Sequence, residues 1–236
     1  MTELPVALIG MGKMGRALEA LAPERGFRVV ATLDPSHPDY RGVTKESLAG
    51  ARVAIEFTTP DSAPDNIRAC AAAGCPVVVG TTGWYPQLEK LSREVEQRGG
   101  ALLTAPNFSV GVAVFDRVVA EAARLFGQLA GFDAHLVETH HAAKKDAPSG
   151  TAGALARTAE AALGRAVPVT CIRTGSVPGT HEVIFDAPFE QVRLVHEARD
   201  RRVFAEGALV AARWLVGRHG VFTMRDVLSS DEKVAP

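Results

Sequence analysis

The residues best suited to chemistry lie in one short segment, residues 138–152. It contains two adjacent histidines, His140 and His141, and two adjacent lysines, Lys144 and Lys145, followed by the sequence Asp-Ala-Pro-Ser-Gly-Thr. A histidine can give or take a proton near neutral pH, and a lysine supplies a full positive charge. These residue types predict a site that holds an anion and protonates a group beside it.

Two secondary-structure elements must position this segment. The apolar run at residues 134–137 predicts a strand that enters it, and the Ala-rich run at residues 151–163 predicts a helix that leaves it. Ser149 or Thr151 can cap that helix, and Gly150 lets the backbone come close to a ligand. Because the first turn of a helix presents N–H groups without intrahelical acceptors, a carboxylate or phosphate is expected to bind there.

Simpler explanations of the same residues exist. Adjacent histidines on a loop also fit a solvated or structural role, and two lysines alone would fit an exposed turn. Zinc binding is disfavoured, because His140 and His141 are neighbours rather than an i, i+4 pair and no cysteine is close in sequence. We therefore predict no metal site.

The whole segment matches a longer pattern. Glu138 begins the sequence Glu-x-His-His-x-x-Lys-x-Asp-Ala-Pro-Ser-Gly-Thr-Ala, which closely resembles the signature of the 4-hydroxy-tetrahydrodipicolinate reductases, also called dihydrodipicolinate reductases. The resemblance implies hydride transfer from a nicotinamide cofactor to a cyclic imine dicarboxylate. The product would be tetrahydrodipicolinate, a precursor of diaminopimelate and lysine.

The resemblance also implies roles within the segment. His140 and Lys144 correspond to the proposed acid–base residues, although Lys144 could equally hold a substrate carboxylate. The implied substrate contacts are His141, Ser149, Gly150 and Thr151, with one carboxylate at the helix start. Arg201 is a weaker candidate that fits a solvated arginine at a strand end equally well.

A second chemical pattern opens the chain. The apolar residues 6–9 predict a buried parallel strand, and the glycine-rich residues 10–15 follow it and open an amphipathic helix. Residues 27–33 predict a second strand that leads to Asp34. This carboxylate falls about twenty residues past the glycines, where the ribose hydroxyls of a dinucleotide need an acceptor. The pattern predicts a dinucleotide site, although a tight strand–helix turn without a ligand has similar glycines.

Alternating strands and helices continue to residue 104. We predict strands at residues 53–57, 77–79 and 101–104, and helices at residues 61–73 and 86–98. Such alternation predicts an α/β fold with a Rossmann-like, doubly wound parallel sheet, in which ligands bind at the carboxyl ends of the strands. The loops at residues 10–15, 58–60, 80–83 and 105–108 should therefore line one crevice.

The family resemblance extends to these loops. Many members have Gly-x-x-Gly-x-Met-Gly in the first loop, and this chain has one residue less there, so the resemblance does not fix the side-chain contacts of Met11 and Lys13. The loop is still expected to cradle the pyrophosphate. The implied cofactor-binding residues are Gly10, Met11, Gly12, Lys13, Met14, Gly15, Asp34, Gly80, Thr81, Thr82, Ala105, Pro106, Asn107 and Phe108.

The middle of the chain has a different pattern. Residues 110–126 predict a helix, and residues 169–173, 182–187 and 192–198 predict strands, with no helical crossover between the last two. This predicts an inserted α+β domain with an open mixed or antiparallel sheet. The helix at residues 204–215 and the tail at 220–228 resemble the family segment that returns to the nucleotide domain. We therefore predict a dinucleotide-binding domain of residues 1–107 plus 207–236, and a substrate-binding and oligomerisation domain of residues 108–206.

The composition of the chain argues against several classes of function. The chain of 236 residues has a formal net charge of −1, 47% hydrophobic and 22% charged residues, as in ordinary globular proteins, so nucleic-acid and membrane partners are not expected. The N-terminus lacks the basic region of a signal peptide. Cys70, Cys75 and Cys171 have no metal-like spacing, which favours reduced thiols and a cytoplasmic location.

The choice of cofactor depends on the residues around Asp34. Its carboxylate can accept hydrogen bonds from a ribose, and it repels the 2′-phosphate of NADPH. Family members that use NADPH well often have an arginine directly after the acidic residue, where this chain has Pro35. Only His37 and Lys13 offer a nearby replacement. We expect NADH and NADPH both to work, with NADH favoured.

The family resemblance implies a homotetramer. The strands at residues 169–198 form a sheet that a chain of this length can hardly cover on both faces, and an open apolar face invites pairing.

Two rival functions remain. Another Rossmann dehydrogenase, such as an aspartate dehydrogenase, would account for the glycine loop and Asp34 but not for the long match at residues 138–152. A non-catalytic nucleotide sensor would be expected to lose His140 or Lys144, and both are present.

Overall fold

The computed structural model describes residues 3–38 and 40–229. The outer ends of the predicted dinucleotide-binding domain, including the first residues of the N-terminus that we judged unlike a signal peptide, lie outside the described residues. The chain divides into two compact units, Met1–Ser109 with Arg202–Pro236, and Val110–Arg201. In the described part of the chain, no helix is both long and apolar enough to cross a membrane.

Strands and helices are numbered in chain order. The strands are β1 (Leu4–Ile9), β2 (Phe27–Leu33), β3 (Val53–Glu56), β4 (Val77–Val79), β5 (Ala101–Thr104), β6 (Asp133–His140), β7 (Val169–Arg173), β8 (Thr180–Ala187), β9 (Glu190–Glu197) and β10 (Gly220–Phe222). The α-helices are α1 (Lys13–Leu21), α2 (Ala63–Ala72), α3 (Leu88–Gln97), α4 (Val110–Phe126), α5 (Gly150–Leu163), α6 (Arg202–Leu215) and α7 (Met224–Ser229).

The first unit contains a six-stranded parallel sheet in the order β10-β5-β4-β3-β1-β2. Helices α1 and α6 pack together on one face, and α2 and α3 pack together on the other. Strands β3, β4 and β5 are buried along their whole length, because helices cover both faces, and this explains why all their residues except the terminal Glu56 and Thr104 are apolar. The predicted Rossmann-like, doubly wound sheet is confirmed.

Helix α6 lies very close to the loop that follows β5. A Cβ atom added at Gly207 would lie 1.7 Å from the carbonyl oxygen of Phe108, so only glycine allows this approach. The C-terminal segment then adds β10 beside β5, with Gly220 opposite Ala101. The C-terminal segment therefore lies in the same compact unit as the glycine-rich loop.

The second unit contains a four-stranded mixed sheet in the order β7-β6-β8-β9. Strands β6 and β7 are parallel, and the other pairs are antiparallel. Helices α4 and α5 pack against each other and contribute Phe115, Val119 and Leu155 to a core with Leu136 and Phe185. The predicted α+β unit with an open mixed sheet is confirmed.

Some predicted boundaries were wrong. Helix α2 begins at Ala63 rather than at residue 61, because the preceding residues form a turn in which the amides of Ser62 and Ala63 both donate to the carbonyl of Thr59. Strand β8 begins at Thr180, two residues before the prediction, because Thr180 pairs with Thr139 of β6. The extension matters, since it places His181 in the sheet.

Candidate active site

The glycine loop of the first unit has the geometry that a pyrophosphate needs. Gly10 has φ +93°, and a Cβ there would lie 2.0 Å from the Phe57 carbonyl oxygen; a Cβ at Gly15 would lie 2.1 Å from the Gly10 carbonyl oxygen. A Cβ at Gly12 would meet nothing within 4 Å. Gly10 and Gly15 thus serve the tight turn and close helix packing, while Gly12 leaves open space at the start of α1.

That start is suited to an anion. The N-cap of α1 is Gly12, which has no side chain to cap the helix, and the first turn contains no acidic residue. The amides and the positive end of the helix dipole are therefore available to a phosphate group. Lys13 is exposed, while Met11 and Met14 are half-buried.

The loops after β1, β3, β4 and β5 are held against one another. A Cβ at Gly80 would lie 2.0 Å from the Phe57 ring, and the rings of Phe57 and Phe108 meet edge to face at 6.0 Å. The Thr58 amide donates to Oγ1 of Thr81 over 2.7 Å. The four predicted loops therefore form one cluster at the carboxyl edge of the sheet.

The polar groups in these loops differ in whether a ligand could reach them. Thr81 is buried, and its backbone carbonyl accepts the indole N–H of Trp84 at 2.7 Å. Oδ1 of Asn107 accepts the Ser109 amide at 2.8 Å. Thr82 and Pro106 are exposed, and Ala105 is buried. Thr81 therefore shapes the loop, and Thr82 is the threonine with access to a ligand.

Asp34 follows β2 in a turn that fixes its carboxylate. Oδ1 accepts both the amide and the hydroxyl of Ser36, at 3.0 and 2.8 Å. These hydrogen bonds lower the pKa of Asp34, and His37 and Arg16 lower it further through their charges. Sequence reasoning missed Arg16, which lies one helical turn beyond Gly12 and brings a permanent cation near Asp34.

In the second unit, the alternation of β6 places two polar residues on the buried face of the sheet. Ala134, Leu136, Glu138 and His140 all point to that face and are buried. In register, Glu138 lies opposite His181 of β8, and His181 lies opposite His196 of β9. A row of ionisable side chains therefore extends the apolar core to the end of the sheet.

Glu138 is the centre of this row. One carboxylate oxygen, Oε1, accepts the Ser149 amide at 3.0 Å and Nη2 of Arg173 at 2.6 Å. The other, Oε2, lies 3.0 Å from Nδ1 of His140. Burial opposes ionisation of Glu138, but the hydrogen bonds from Ser149 and Arg173 outweigh it and lower its pKa to about 2. Glu138 is therefore a buried anion at neutral pH.

The two buried histidines next to Glu138 are held mostly neutral. Burial lowers the pKa of His140, and Glu138 raises it in part. Burial and the neighbouring His140 lower the pKa of His181 to about 4. The two rings meet edge to face at 5.2 Å. His140 is thus the histidine of this pair that can exchange a proton closer to neutral pH.

Helix α5 begins beside this cluster. Ser149 is its N-cap, and its Oγ accepts the Ala152 amide at 3.1 Å. The same hydroxyl lies 3.3 Å from Nε2 of His181. Gly150 is exposed, and a Cβ there would meet nothing within 4 Å. Of the two capping residues that the sequence allowed, Ser149 is the one used, and open space lies in front of the first turn.

The remaining predicted residues lie in three places. His141, Lys144 and Lys145 lie on the loop between β6 and α5, Thr151 lies in the first turn of α5, and Arg201 directly precedes α6. Nε2 of His141 lies 3.0 Å from Nη2 of Arg201, so Arg201 reaches the segment rather than standing apart in solvent. Nζ of Lys144 lies 2.8 Å from Oδ1 of Asp146, and its side chain is 21% exposed. Lys145 is exposed. Of these cations, Lys144 is the one whose charge acts on His140 and lowers its pKa.

Sequence reasoning missed Arg173 and His181. Arg173 is 35 residues from Glu138 in the sequence, and His181 is 32 residues from Ser149, so no local spacing points to them. Glu138, His140 and His181 present ligand atoms within 4.8 Å of one another. The guanidinium of Arg173 on the same carboxylate opposes a cation there, and we propose no metal.

Comparisons with known protein families agree along the chain. The profile described as "Dihydrodipicolinate reductase, N-terminus" matches residues 4–108, and the one described as "Dihydrodipicolinate reductase, C-terminus" matches residues 111–228. A 4-hydroxy-tetrahydrodipicolinate reductase from Christiangramia forsetii is 34% identical over 95% of this chain and 97% of the relative. One from Methanoculleus marisnigri is 42% identical over 75% of each chain.

Solved structures show the same fold at lower identity. A dipicolinate-bound dihydrodipicolinate reductase from a Paenisporosarcina species is similar with a TM-score of 0.80 and 22% identity, covering 94% of this chain and 98% of that chain. The aspartate dehydrogenase of Thermotoga maritima reaches a TM-score of 0.54 at 12% identity, covering 92% and 98%. The rival class therefore shares the architecture.

Proposed function

This chain belongs to the dihydrodipicolinate reductase family, and we propose that the segment from Glu138 to Thr151 carries out the chemistry of that family here. The chain is an NAD(P)H-dependent oxidoreductase with the activity of a 4-hydroxy-tetrahydrodipicolinate reductase, in the biosynthesis of diaminopimelate and lysine. The observation that carries the proposal is the buried Glu138–His140 contact beside the N-terminus of α5.

The reaction explains why such a site is needed. Loss of the 4-hydroxyl as water turns the substrate into a conjugated imine, and the reduced cofactor, when bound, would supply a hydride to that imine. Negative charge then builds along the C=C–C=N system, and a proton must be added to complete the reduction. A site for this step needs a proton donor and fixed positive charges in a partly dry environment.

His140 is the proposed proton donor. Nδ1 faces Glu138, so Nε2 is the atom that can give a proton to the substrate. A Cβ added at Gly179 would lie 3.0 Å from Nε2, and the glycine therefore leaves space in front of this nitrogen. The buried anion Glu138 stabilises the imidazolium form that donation requires.

The proposed carboxylate contacts surround His140. One substrate carboxylate binds at the first turn of α5, where Ser149 forms the cap and Gly150 and Thr151 contribute backbone amides. Lys144 and His141, the latter oriented by Arg201, supply contacts for the rest of the dianion. Asp146 now pairs with Lys144, so we propose that a substrate carboxylate competes for this ammonium group.

The first unit fits a nicotinamide dinucleotide. Its glycine loop admits a pyrophosphate at Gly12 and the start of α1, and Asp34 can accept hydrogen bonds from the adenine ribose. We propose that Gly80, Thr82 and Asn107 line the path of the cofactor along the neighbouring loops. These assignments rest on the loop cluster and on the openness at Gly12.

The activity is tested by following NADH or NADPH oxidation with freshly generated 4-hydroxy-tetrahydrodipicolinate. Oxaloacetate with ammonia is the comparison, since an aspartate dehydrogenase would use that pair. Turnover of the cyclic substrate alone is expected. Turnover of oxaloacetate and ammonia alone would contradict the assignment.

The same assay should show NADH favoured over NADPH by several-fold in kcat/KM at pH 7.5 and low salt. The repulsion between Asp34 and a 2′-phosphate is on the order of 1 kcal/mol in a partly hydrated cleft. Arg16 reduces that penalty, so Arg16→Ala should raise KM for NADPH by about 10-fold and leave KM for NADH nearly unchanged. Lys13→Ala is the matched control; a larger NADPH effect from it would assign the cation to Lys13 instead.

We propose a homotetramer built through the open face of the second sheet. Ile172 is 42% exposed and Val195 is 55% exposed on that face. Val195→Glu should therefore break the assembly, because it places charges inside a dry interface. Light scattering at micromolar protein should show a tetramer for the natural chain and for the control Val114→Glu on α4, and smaller species for Val195→Glu. A monomeric natural chain would contradict the proposal.

The expected location is the cytoplasm. Cys70, Cys75 and Cys171 are free thiols, as a reducing compartment favours.

A further inference from the structure

Glu138 makes contacts that a structural role does not require. Its side chain is fully buried and ionised, and its two oxygens serve different partners. Oε1 binds a permanent cation and a backbone amide, and Oε2 faces the ring of His140. The Cys171 thiol, opposite Glu138 on β7, interacts with the same carboxylate. In the described residues, neither Oε2 nor Nδ1 of His140 has any other hydrogen-bond partner.

The geometry limits how His140 can be protonated. An N–H at Nδ1 would face a carboxylate oxygen 3.0 Å away, whereas a bare Nδ1 lone pair would face that same anion. The two atoms are close, but they do not form an aligned hydrogen bond. The neutral ring is therefore stabilised with its proton on Nδ1 and its lone pair on Nε2.

Arg173 and Ser149 hold the carboxylate in place. Arg173 lies opposite His140 in the register of β6 and β7, and its guanidinium also donates to the carbonyl of Asp146 at 2.7 Å. The Ser149 amide connects Glu138 to the N-cap of α5. One carboxylate thereby links the proton donor to the helix start at which the substrate anion is proposed to bind.

We propose that Glu138, clamped by Arg173 and the Ser149 amide, is a positioning residue that fixes the Nδ1-protonated tautomer of His140 and sets how readily Nε2 releases its proton. The proposal rests on the proposed role of His140 as proton donor. Glu138 itself touches neither substrate nor cofactor. It acts through the orientation and the charge of the imidazole ring.

The charges around His140 predict the direction in which each substitution should shift its protonation. The titratable and charged groups that face the ring are Glu138 on β6, Lys144 and Asp146 on the loop, Arg173 on β7 and His181 on β8. Glu138 favours the imidazolium, and Arg173 opposes it. Removing one or the other should therefore move the protonation of His140 in opposite directions.

The first measurement is the pH dependence of kcat for Glu138→Gln and Arg173→Gln. Since the protonated ring donates, kcat falls as pH rises through the pKa of His140. Glu138→Gln should shift this fall to lower pH by about one pH unit, and Arg173→Gln should shift it to higher pH by a similar amount. Glu138→Gln should also lower kcat by roughly 10- to 100-fold with little change in KM for the cofactor. The control Glu121→Gln makes the same chemical change on the exposed face of α4 and should alter neither value.

The second measurement is the tautomer of His140 in the protein without substrate. Two-bond ¹H–¹⁵N spectra of histidine-labelled protein, with His140 assigned by comparison with His140→Gln, should show the Nδ1–H form in the natural chain. Glu138→Gln should give a mixture of tautomers. The proposal would be overturned if kcat were lower in both variants while the pH at which kcat falls and the tautomer of His140 stayed unchanged. If Glu138→Gln fails to fold, the tautomer of His140 in Arg173→Gln decides, because releasing the clamped carboxylate should also give a mixture of tautomers.

The proton-donor role of His140 and the positioning role of Glu138 can be rejected independently of each other. If His140→Gln retains its kcat, the proton-donor role is wrong, and the tautomer spectra still test whether Glu138 orients the ring. If His140 proves essential while Glu138→Gln moves neither the pH limb nor the tautomer, only the positioning role is wrong.

Discussion

His140→Gln should lower kcat by about 10²-fold or more while KM for NADH changes little. A positioned proton donor contributes about 10²- to 10⁴-fold to a rate, and glutamine keeps much of the size of the ring without a group that ionises near neutral pH. Its amide can still face Glu138, so the buried carboxylate keeps a polar neighbour. Steady-state kinetics at saturating substrate test the prediction.

The comparison for this variant is His181→Gln. His181 is equally buried on the neighbouring strand, and its low pKa, about 4, keeps it neutral during turnover. It should therefore affect kcat far less than His140→Gln. Near-normal kcat in His140→Gln would remove His140 from the mechanism, and a larger effect at His181 would assign the proton donor to that ring.

Lys144→Ala should lower kcat/KM by about 10²-fold or more, chiefly through KM for the cyclic dicarboxylate. A charged hydrogen bond between an ammonium and a carboxylate in a partly buried site is worth a few kcal/mol. The Lys144 side chain is only 21% exposed and already lies in contact with a carboxylate, that of Asp146. Its charge is therefore positioned before any substrate binds.

Lys145→Ala provides the matched control for this prediction. Lys145 is the next residue on the same loop, has the same charge and is exposed. Its replacement should change kcat/KM less than about 3-fold, as expected for a solvated charge. Equal losses in the two variants would show that bulk positive charge, rather than the position of Lys144, is what the site requires. A fall in kcat alone at Lys144 would instead favour a role in proton transfer.

The architecture of the first unit could be predicted from the sequence. The alternation of strands and helices predicts a doubly wound sheet, and the structure confirms it, because helices pack on both faces of the buried strands β3, β4 and β5. The glycine loop was predicted from its place between a strand and a helix. The reason for each glycine, however, is visible only in the structure, where Gly10 and Gly15 meet other backbone atoms and Gly12 meets none.

In the second unit, the residues of the loop could be predicted from the sequence, but the residues that surround them could not. His140, His141 and Lys144 are local in the chain, and Ser149 caps a helix whose start can be recognised from residue types. The boundary of β8 was placed two residues late, because polar Thr180 and His181 break the apolar run that marks a strand. Pairing with β6 determines that boundary, and pairing is a long-range property.

What the sequence alone determined about this protein is the set of local patterns: alternating strands and helices, the glycine turn, Asp34 and the segment from Glu138 to Thr151. Only the tertiary structure decided that Arg173 and His181 join this segment, because sheet register brings them there from distant parts of the chain. It also decided that Arg16 stands near Asp34, because α1 follows β1 and β1 pairs with β2. In the sequence, Glu138 is recognisable only as the first residue of the motif. The structure shows its physical role, because it is buried as an anion between Arg173 and His140.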